Sequence, residues 1–232
     1  MTPGFRWHPQ ARLIGPDGNG DGATAQMLRA ILGRGRPFRI GLPDDPAPDG
    51  GAGAGPVFET LTSGSTGRPR RILRTQASWI ASFQVNAALF GIGPGCQVAV
   101  LGDLVHSLSL YGVLEGLHLG ATVHLLAGVR PDRQAAALAA RGIDVLYATP
   151  AQLRAASPGD LPDLRLILVG GSKLDDRLRA ELASSAPAAE VREFYGAAEA
   201  SFITLANAGT PPDSVGRAYP GWKSSCARAR SG

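Results

Sequence analysis

Thr60-Leu61-Thr62-Ser63-Gly64-Ser65-Thr66-Gly67-Arg68-Pro69-Arg70-Arg71 follows the apolar run Pro56-Val57-Phe58 and combines small hydroxyl side chains, glycines and arginines. Glycine lets successive backbone N–H groups turn toward one point, where a Cβ would be strained. Such an array, with hydroxyls and cations beside it, suits phosphate oxygens. The same composition also describes an ordinary turn or linker. The order of residues excludes the ATPase loop G-x-x-x-x-G-K-[ST], because Gly64 and Gly67 are wrongly spaced and no lysine follows.

Around this stretch the chain reads as alternating elements. Extended segments are expected over 57–61 and 72–74, then a helix over 76–90 with Thr75 as its cap and Gly91-Ile92-Gly93-Pro94-Gly95 at its end. Short apolar strands follow over 98–101, 122–126, 145–148, 164–169 and 191–194. Helical stretches over 108–119, 132–140, 151–156 and 174–184 separate them. This alternation implies an α/β fold of βαβ units around a mostly parallel sheet. Ligands in such sheets bind at the carboxyl ends of the strands. Upstream, residues 1–36 carry one short helix over 25–32 with Thr24 available as its cap, and 43–56 reads as a flexible connection. Gly51-Ala52-Gly53-Ala54-Gly55 lacks the flanking strand and helix of a dinucleotide fingerprint. The chain divides into a short N-terminal segment with linker (1–56), a main unit (57–221) and a tail (222–232).

Composition narrows the function. The 232 residues are 44% hydrophobic, enough for a sizeable core, and no apolar run has membrane-spanning length. The net charge of +4 is spread rather than clustered with aromatics, which argues against nucleic acid as a partner. Cys96 and Cys226 form neither a metal spacing nor a disulfide framework, and no secretory signal opens the chain. Both point to the cytoplasm.

Two more segments carry chemistry. In Arg192-Glu193-Phe194-Tyr195-Gly196-Ala197-Ala198-Glu199-Ala200-Ser201, a strand runs into Tyr195-Gly196 and Glu199 sits just past the turn. A carboxylate there could hold Mg²⁺ bridging phosphates, or be a solvated surface group. Leu168-Val169-Gly170-Gly171-Ser172-Lys173-Leu174 is a strand-to-helix turn that needs glycine. His106 stands in Leu104-Val105-His106-Ser107-Leu108, and a lone histidine there is either structural or functional. His118 and His124 lie in apolar surroundings that suit packing roles.

Thr62 through Gly67, with Pro69, resembles the phosphate loop Thr-Ser-Gly-Ser/Thr-Thr-Gly-x-Pro-Lys-Gly of the adenylate-forming superfamily: acyl-CoA synthetases, peptide-synthetase adenylation domains and luciferases. Arg70 replaces the loop's lysine and Arg71 its glycine; arginine keeps the charge but adds a planar fork. Tyr195, Gly196 and Glu199 match the superfamily's Tyr-Gly-x-Thr/Ser-Glu, with Ala198 in place of the hydroxyl residue. Gly170-Gly171-Ser172 resembles its Gly-Gly-Ala/Ser turn, and Ser214-Val215-Gly216 with Pro220-Gly221 a structural turn. The resemblance implies the large domain of an enzyme that activates a carboxylic acid as acyl-AMP and passes it to a thiol. ATP with Mg²⁺ and coenzyme A would be its cofactors and co-substrates, and an acyl-CoA synthetase its type. Thr62, Ser63, Gly64, Ser65, Thr66, Gly67 and Arg70 would hold the phosphates. Gly170, Gly171, Ser172, Tyr195 and Gly196 would face the nucleotide and acyl group, Glu199 would take the metal, and His106 would sit near the carboxylate. A carrier-protein thiol as acceptor, and a catalytically silent nucleotide-binding or interaction remnant, stay open as alternatives.

The resemblance spans 58–221 and implies a truncated member. After Gly221 the superfamily's Thr-Gly-Asp segment and its small C-terminal domain, with the lysine that bridges carboxylate and ATP, do not follow. Loss of such electrostatic stabilisation would cost orders of magnitude in rate. Trp222-Lys223-Ser224-Ser225-Cys226 also lacks the alternating pattern expected after Gly221, as a frameshift would produce.

Overall fold

A computed structural model describes residues 3–20, 22–41, 55–61, 70–211 and 213–221. Most of the phosphate-loop reading (Thr62 to Pro69), most of the linker and the tail after Gly221 therefore lie outside the described residues.

The main sheet has eight strands in the order β1-β6-β5-β7-β8-β9-β10-β11. In chain order these are β1 (Arg12–Ile14), β5 (Gln97–Val100), β6 (Thr122–Leu125), β7 (Val145–Ala148), β8 (Leu166–Val169), β9 (Glu190–Ala197), β10 (Ser201–Ala206) and β11 (Arg217–Ala218). Every pair from β1 to β9 is parallel, and β10 and β11 add antiparallel. A second sheet joins β2 (Phe38–Arg39), β3 (Val57–Leu61) and β4 (Arg71–Thr75); β3 and β4 form an antiparallel pair whose last register is Leu61 with Arg71.

Burial explains the sequence pattern. β7 and β8 are buried at every position, which is why they read as continuous apolar runs. Alternate side chains enter two cores. Val98, Val100, Val145, Tyr147, Leu166 and Leu168 pack with α2 (Gln76–Phe90) and α3 (Ser107–Leu119). Ala99, Leu146, Ala148, Ile167 and Val169 pack with Leu138, Leu153, Leu178 and Leu182 of α4 (Pro131–Ala140), α5 (Pro150–Ala156) and α6 (Asp176–Ser185). The sheet is thus covered on both faces, as parallel sheets require.

The N-terminal region takes more structure than its sequence announces. Its helix α1 (Ala23–Ile31) begins two residues earlier than expected, with Gly22 at the N-cap and Thr24 inside the helix. Leu13 of β1 pairs with Val123, and Phe5, Leu13 and Leu28 join the core against α2 and α3. Strands of two or three residues carry too few alternations to be read as a period, so β1 and β2 were invisible in sequence. Thr75 does occupy the N-cap of α2, but its side chain makes no capping bond.

One buried polar cluster crosses the first core. Glu115 of α3 accepts from Asn86 Nδ2 (2.9 Å) and from the Tyr147 hydroxyl. Tyr219 donates to Asn86 Oδ1 (2.7 Å), and Tyr111 to Ser82 Oγ (2.7 Å). Burial pushes the Glu115 carboxyl up to about 8, against the opposing pull of these donors. His118 and His124, both buried, are held down to about 4, chiefly by desolvation. His118 Nδ1 accepts from the Arg6 backbone and His124 Nε2 bonds Gln97, so both serve packing.

Candidate functional site

Strand order locates the site. The chain passes from β5 outward to β6, then returns to β7 on the other side of β5, and this reversal leaves a crevice at the strands' carboxyl ends. Segments leaving four strands meet there: Leu101–His106 after β5, Thr149 after β7, Gly170–Gly171 after β8, and the far end of β9. The base of the β3–β4 hairpin closes one side through a bridge between Leu61 and His106. The open cavity there has a volume of about 590 Å³, within the size range of small-molecule sites.

Arg70, His106, Gly171, Tyr195, Gly196 and Glu199 all line this one cavity. They come from positions 70 to 199, so the fold, not sequence proximity, assembles them. Ser172 lines a smaller adjoining cavity of about 220 Å³ that shares Gly171, Tyr195 and Gly196 with the first. Gly170 lines neither and is buried beneath them. Thr62, Ser63, Gly64, Ser65, Thr66 and Gly67 lie outside the described residues; Leu61 and Arg70, which flank them, both border the larger cavity.

Local packing shows why these residue types stand there. A Cβ on Gly170 would sit 2.2 Å from the ring of Phe194, so only glycine lets the β8 turn pass over that ring. At Gly196 a Cβ would lie 2.2 Å from the Ser201 carbonyl oxygen across the hairpin. The sequence reading ended a strand at Phe194; in fact β9 runs on to Ala197 and folds back as β10, with Glu199 inside the hairpin turn. Ser201 takes φ 61°, and the register shifts between Phe202 and Thr204, which bends the hairpin over the crevice. The floor is aromatic: Phe58 meets Trp79 at 4.5 Å, Trp79 meets Tyr111 at 5.0 Å and Tyr111 meets Phe202 at 5.1 Å between centroids. Tyr195 stands 56% exposed above it and offers a π face for stacking.

Sequence reasoning missed several participants. Thr149 lines the cavity and starts α5 with a capping box, accepting from Gln152 N at 3.3 Å. Thr149-Pro150-Ala151-Gln152 carries that signature and could have been read. Glu193 accepts from Leu174 N at 2.9 Å and pairs with Arg179, fixing the Gly170–Leu174 turn to β9. Arg74 donates to the Ala198 carbonyl, and no local pattern announces a contact over that separation.

Glu199 is an exposed carboxylate on the cavity wall, and among the described residues no cluster of three or more His, Cys, Asp or Glu side chains forms a metal cage. That donor set fits Mg²⁺, which is commonly held by one or two carboxylates together with substrate phosphates. Among the described residues no helix is long and apolar enough to cross a membrane.

Known proteins share this sequence region and this fold. The uncharacterised acyl-CoA ligase YhfT of Bacillus subtilis (strain 168) is 33% identical over 169 residues, covering 71% of this chain and 35% of YhfT. The Vibrio cholerae adenylation domain AlmE, solved with glycyl-adenosine-5′-phosphate, superposes with a TM-score of 0.60 at 23% identity, over 70% of this chain and 33% of that one. O-succinylbenzoate coenzyme A synthetase (MenE) of Bacillus subtilis, solved with ATP and magnesium, gives 0.61 at 21% identity, over 70% and 35%. The chain therefore spans about a third of the length of these proteins. The family profile described as AMP-binding enzyme matches residues 28–225, most of the sequence, and the chain belongs to that adenylate-forming family.

Proposed function

We propose that this chain carries the nucleotide-facing part of an enzyme that activates a carboxylic acid with ATP. In the first step a carboxylate oxygen attacks the α-phosphorus, the bond to the β-phosphate bridge breaks, and acyl-AMP and pyrophosphate form. In the second a thiol attacks the acyl carbonyl and AMP leaves. Coenzyme A is the acceptor we favour, because relatives named as acyl-CoA ligases, YhfT at 33% identity among them, match the shared region. The reaction belongs in the cytoplasm, where ATP and free thiols are available.

The observation that carries this reading is the convergence of Arg70, His106, Gly171, Tyr195, Gly196 and Glu199 on one cavity at the carboxyl ends of parallel strands. Arg70, with Thr62 to Gly67, would neutralise and orient the β- and γ-phosphates. Tyr195 and the Gly170–Ser172 turn would flank the base and the acyl-adenylate. Glu199 would hold Mg²⁺, which when bound offsets phosphate charge. His106, at the N-cap of α3, would stand beside the reacting carboxylate. Most of the catalysis would come from positioning and fixed charge rather than proton transfer.

Exchange of labelled pyrophosphate into ATP, measured across a panel of carboxylic acids, tests the reading. Acid-dependent exchange is expected. ATP binding without exchange would leave a nucleotide-binding module without turnover. Absence of both ATP binding and exchange would overturn the proposal. Adding CoA or a carrier protein after adenylation then identifies the thiol acceptor.

A further inference from the structure

Arg74 is the described side chain that ties the small sheet to the hairpin turn carrying Glu199. It lies on β4, four residues beyond Arg70, and its side chain is half-buried. Nη1 donates to the Ala198 carbonyl at 2.7 Å, and Nη2 donates to Ser78 Oγ at 3.1 Å. Ser78 in turn donates to the Thr75 carbonyl at 2.7 Å, so the guanidinium is braced against the start of α2. The turn it grips reads Ala197-Ala198-Glu199-Ala200, and its alanines have no polar side chain with which to fix themselves. Within the turn the Ala200 amide bonds the Ala197 carbonyl at 3.0 Å. The Glu199 carboxylate attracts the same guanidinium electrostatically.

We propose that Arg74 is a positioning residue for the nucleotide site: it holds the Glu199 turn at a set distance from the β3–β4 hairpin, so that both act on one Mg·ATP. This rests on the reading of Glu199 as the Mg²⁺ carboxylate. The planar fork matters more than the charge. One guanidinium satisfies a carbonyl of the hairpin turn and a hydroxyl at the start of α2 at once; a lysine ammonium keeps the charge without that fixed two-pronged geometry. A cation beside Glu199 would, by charge alone, oppose Mg²⁺ binding. Geometry and electrostatics therefore predict opposite signs for its removal.

Calorimetric titration of the full chain with ATP, in excess MgCl₂ and separately in EDTA, distinguishes them. For Arg74→Met we expect roughly tenfold weaker Mg·ATP binding, the loss attached to a hydrogen bond from a charged group, with a smaller change in EDTA. Arg74→Lys should fall between the two, and amide exchange over 197–201 should quicken in both variants. If Arg74→Met does not fold, Arg74→Lys alone still carries the test, since it retains the charge. Wild-type Mg·ATP affinity in both variants, tighter binding in Arg74→Met, or equal losses with and without Mg²⁺ would overturn the positioning role. Failure of the wild-type chain to bind ATP would overturn the functional proposal with it, whereas the preceding outcomes sink this inference alone.

Discussion

The parallel centre of the sheet and the β9–β10 hairpin are neighbours built on opposite terms. In the centre, Val98, Val100, Val145, Leu146 and Ile167 are all fully buried, and helices cover both faces. In the hairpin, β9 is buried at no position, Tyr195 is 56% exposed and Glu199 faces solvent. The hairpin holds its shape through the glycine at 196, the Phe194–Phe202 ring contact at 4.2 Å and the Arg74 bond to Ala198. The centre supplies stability and fixes where the strand ends point. The hairpin spends little apolar burial and leaves its polar groups facing the cavity. The nucleotide site proposed above, which must admit and release its ligand, belongs on the second kind of structure.

Substitutions in the two regions should therefore separate stability from binding. The largest effect is expected at Leu146→Ala, which should lower unfolding free energy by about 2–5 kcal/mol in urea denaturation. Tyr195→Ala should stay within about 0.5 kcal/mol. Equal losses would break the comparison. Glu115→Ala comes next. It strands the Tyr147 hydroxyl in the core, at about 1–3 kcal/mol, leaves Asn86 Nδ2 its bond to the Tyr111 hydroxyl (3.3 Å), and should leave any nucleotide affinity of the surviving folded fraction unchanged.

At the hairpin, Gly196→Ala drives a Cβ into backbone and should cost about 1–3 kcal/mol while weakening ATP binding; a stable variant with full affinity would show that the bend over the crevice is dispensable. Tyr195→Ala should weaken ATP binding by about 1–3 kcal/mol if the ring stacks on the base, read by the same calorimetry.

A separate test concerns pH and sharpens the description of the centre. Glu115 has a folded value of about 8, above its ordinary value of 4.5, so the folded state binds the extra proton and stability falls as pH rises from 4.5 through 8. His118 and His124 are depressed from 6.5 to about 4, so their contribution is present above 6.5 and is lost as pH falls toward 4. Between 4.5 and 6.5 the two histidines outweigh the single carboxyl. Denaturation midpoints should thus peak near pH 6.5, and Glu115→Gln should flatten the alkaline limb and steepen the acid limb between 4.5 and 6.5. An unchanged alkaline limb in that variant would mean that Glu115 is ionised in the fold.

The two regions also differed in how far they could be read beforehand. The covered strands β7 and β8 announced themselves as apolar runs, and α2 runs over the residues its pattern marked, because periodicity over many residues averages out local exceptions. The hairpin did not. Its alanine-rich turn and the left-handed Ser201 carry no turn signature, so β10 was missed and β9 was cut short. Among the residues lining the cavity, Arg70, Gly171, Tyr195, Gly196 and Glu199 could be picked out beforehand because each stands in an ordered motif. Arg74, Glu193 and Thr149 were not, since their partners lie elsewhere in the chain or, for Thr149, in a cap whose place in the site only the fold reveals.

By itself the sequence determined the α/β class and the family, because residue type and spacing are local properties. Only the tertiary structure decided that β1 completes the sheet edge, that His106 bridges the base of the β3–β4 hairpin, and that Arg74 spans two sheets to hold the Glu199 turn. Those contacts join residues far apart in the chain, and their free energy exists only once the parallel core has brought the strand ends together.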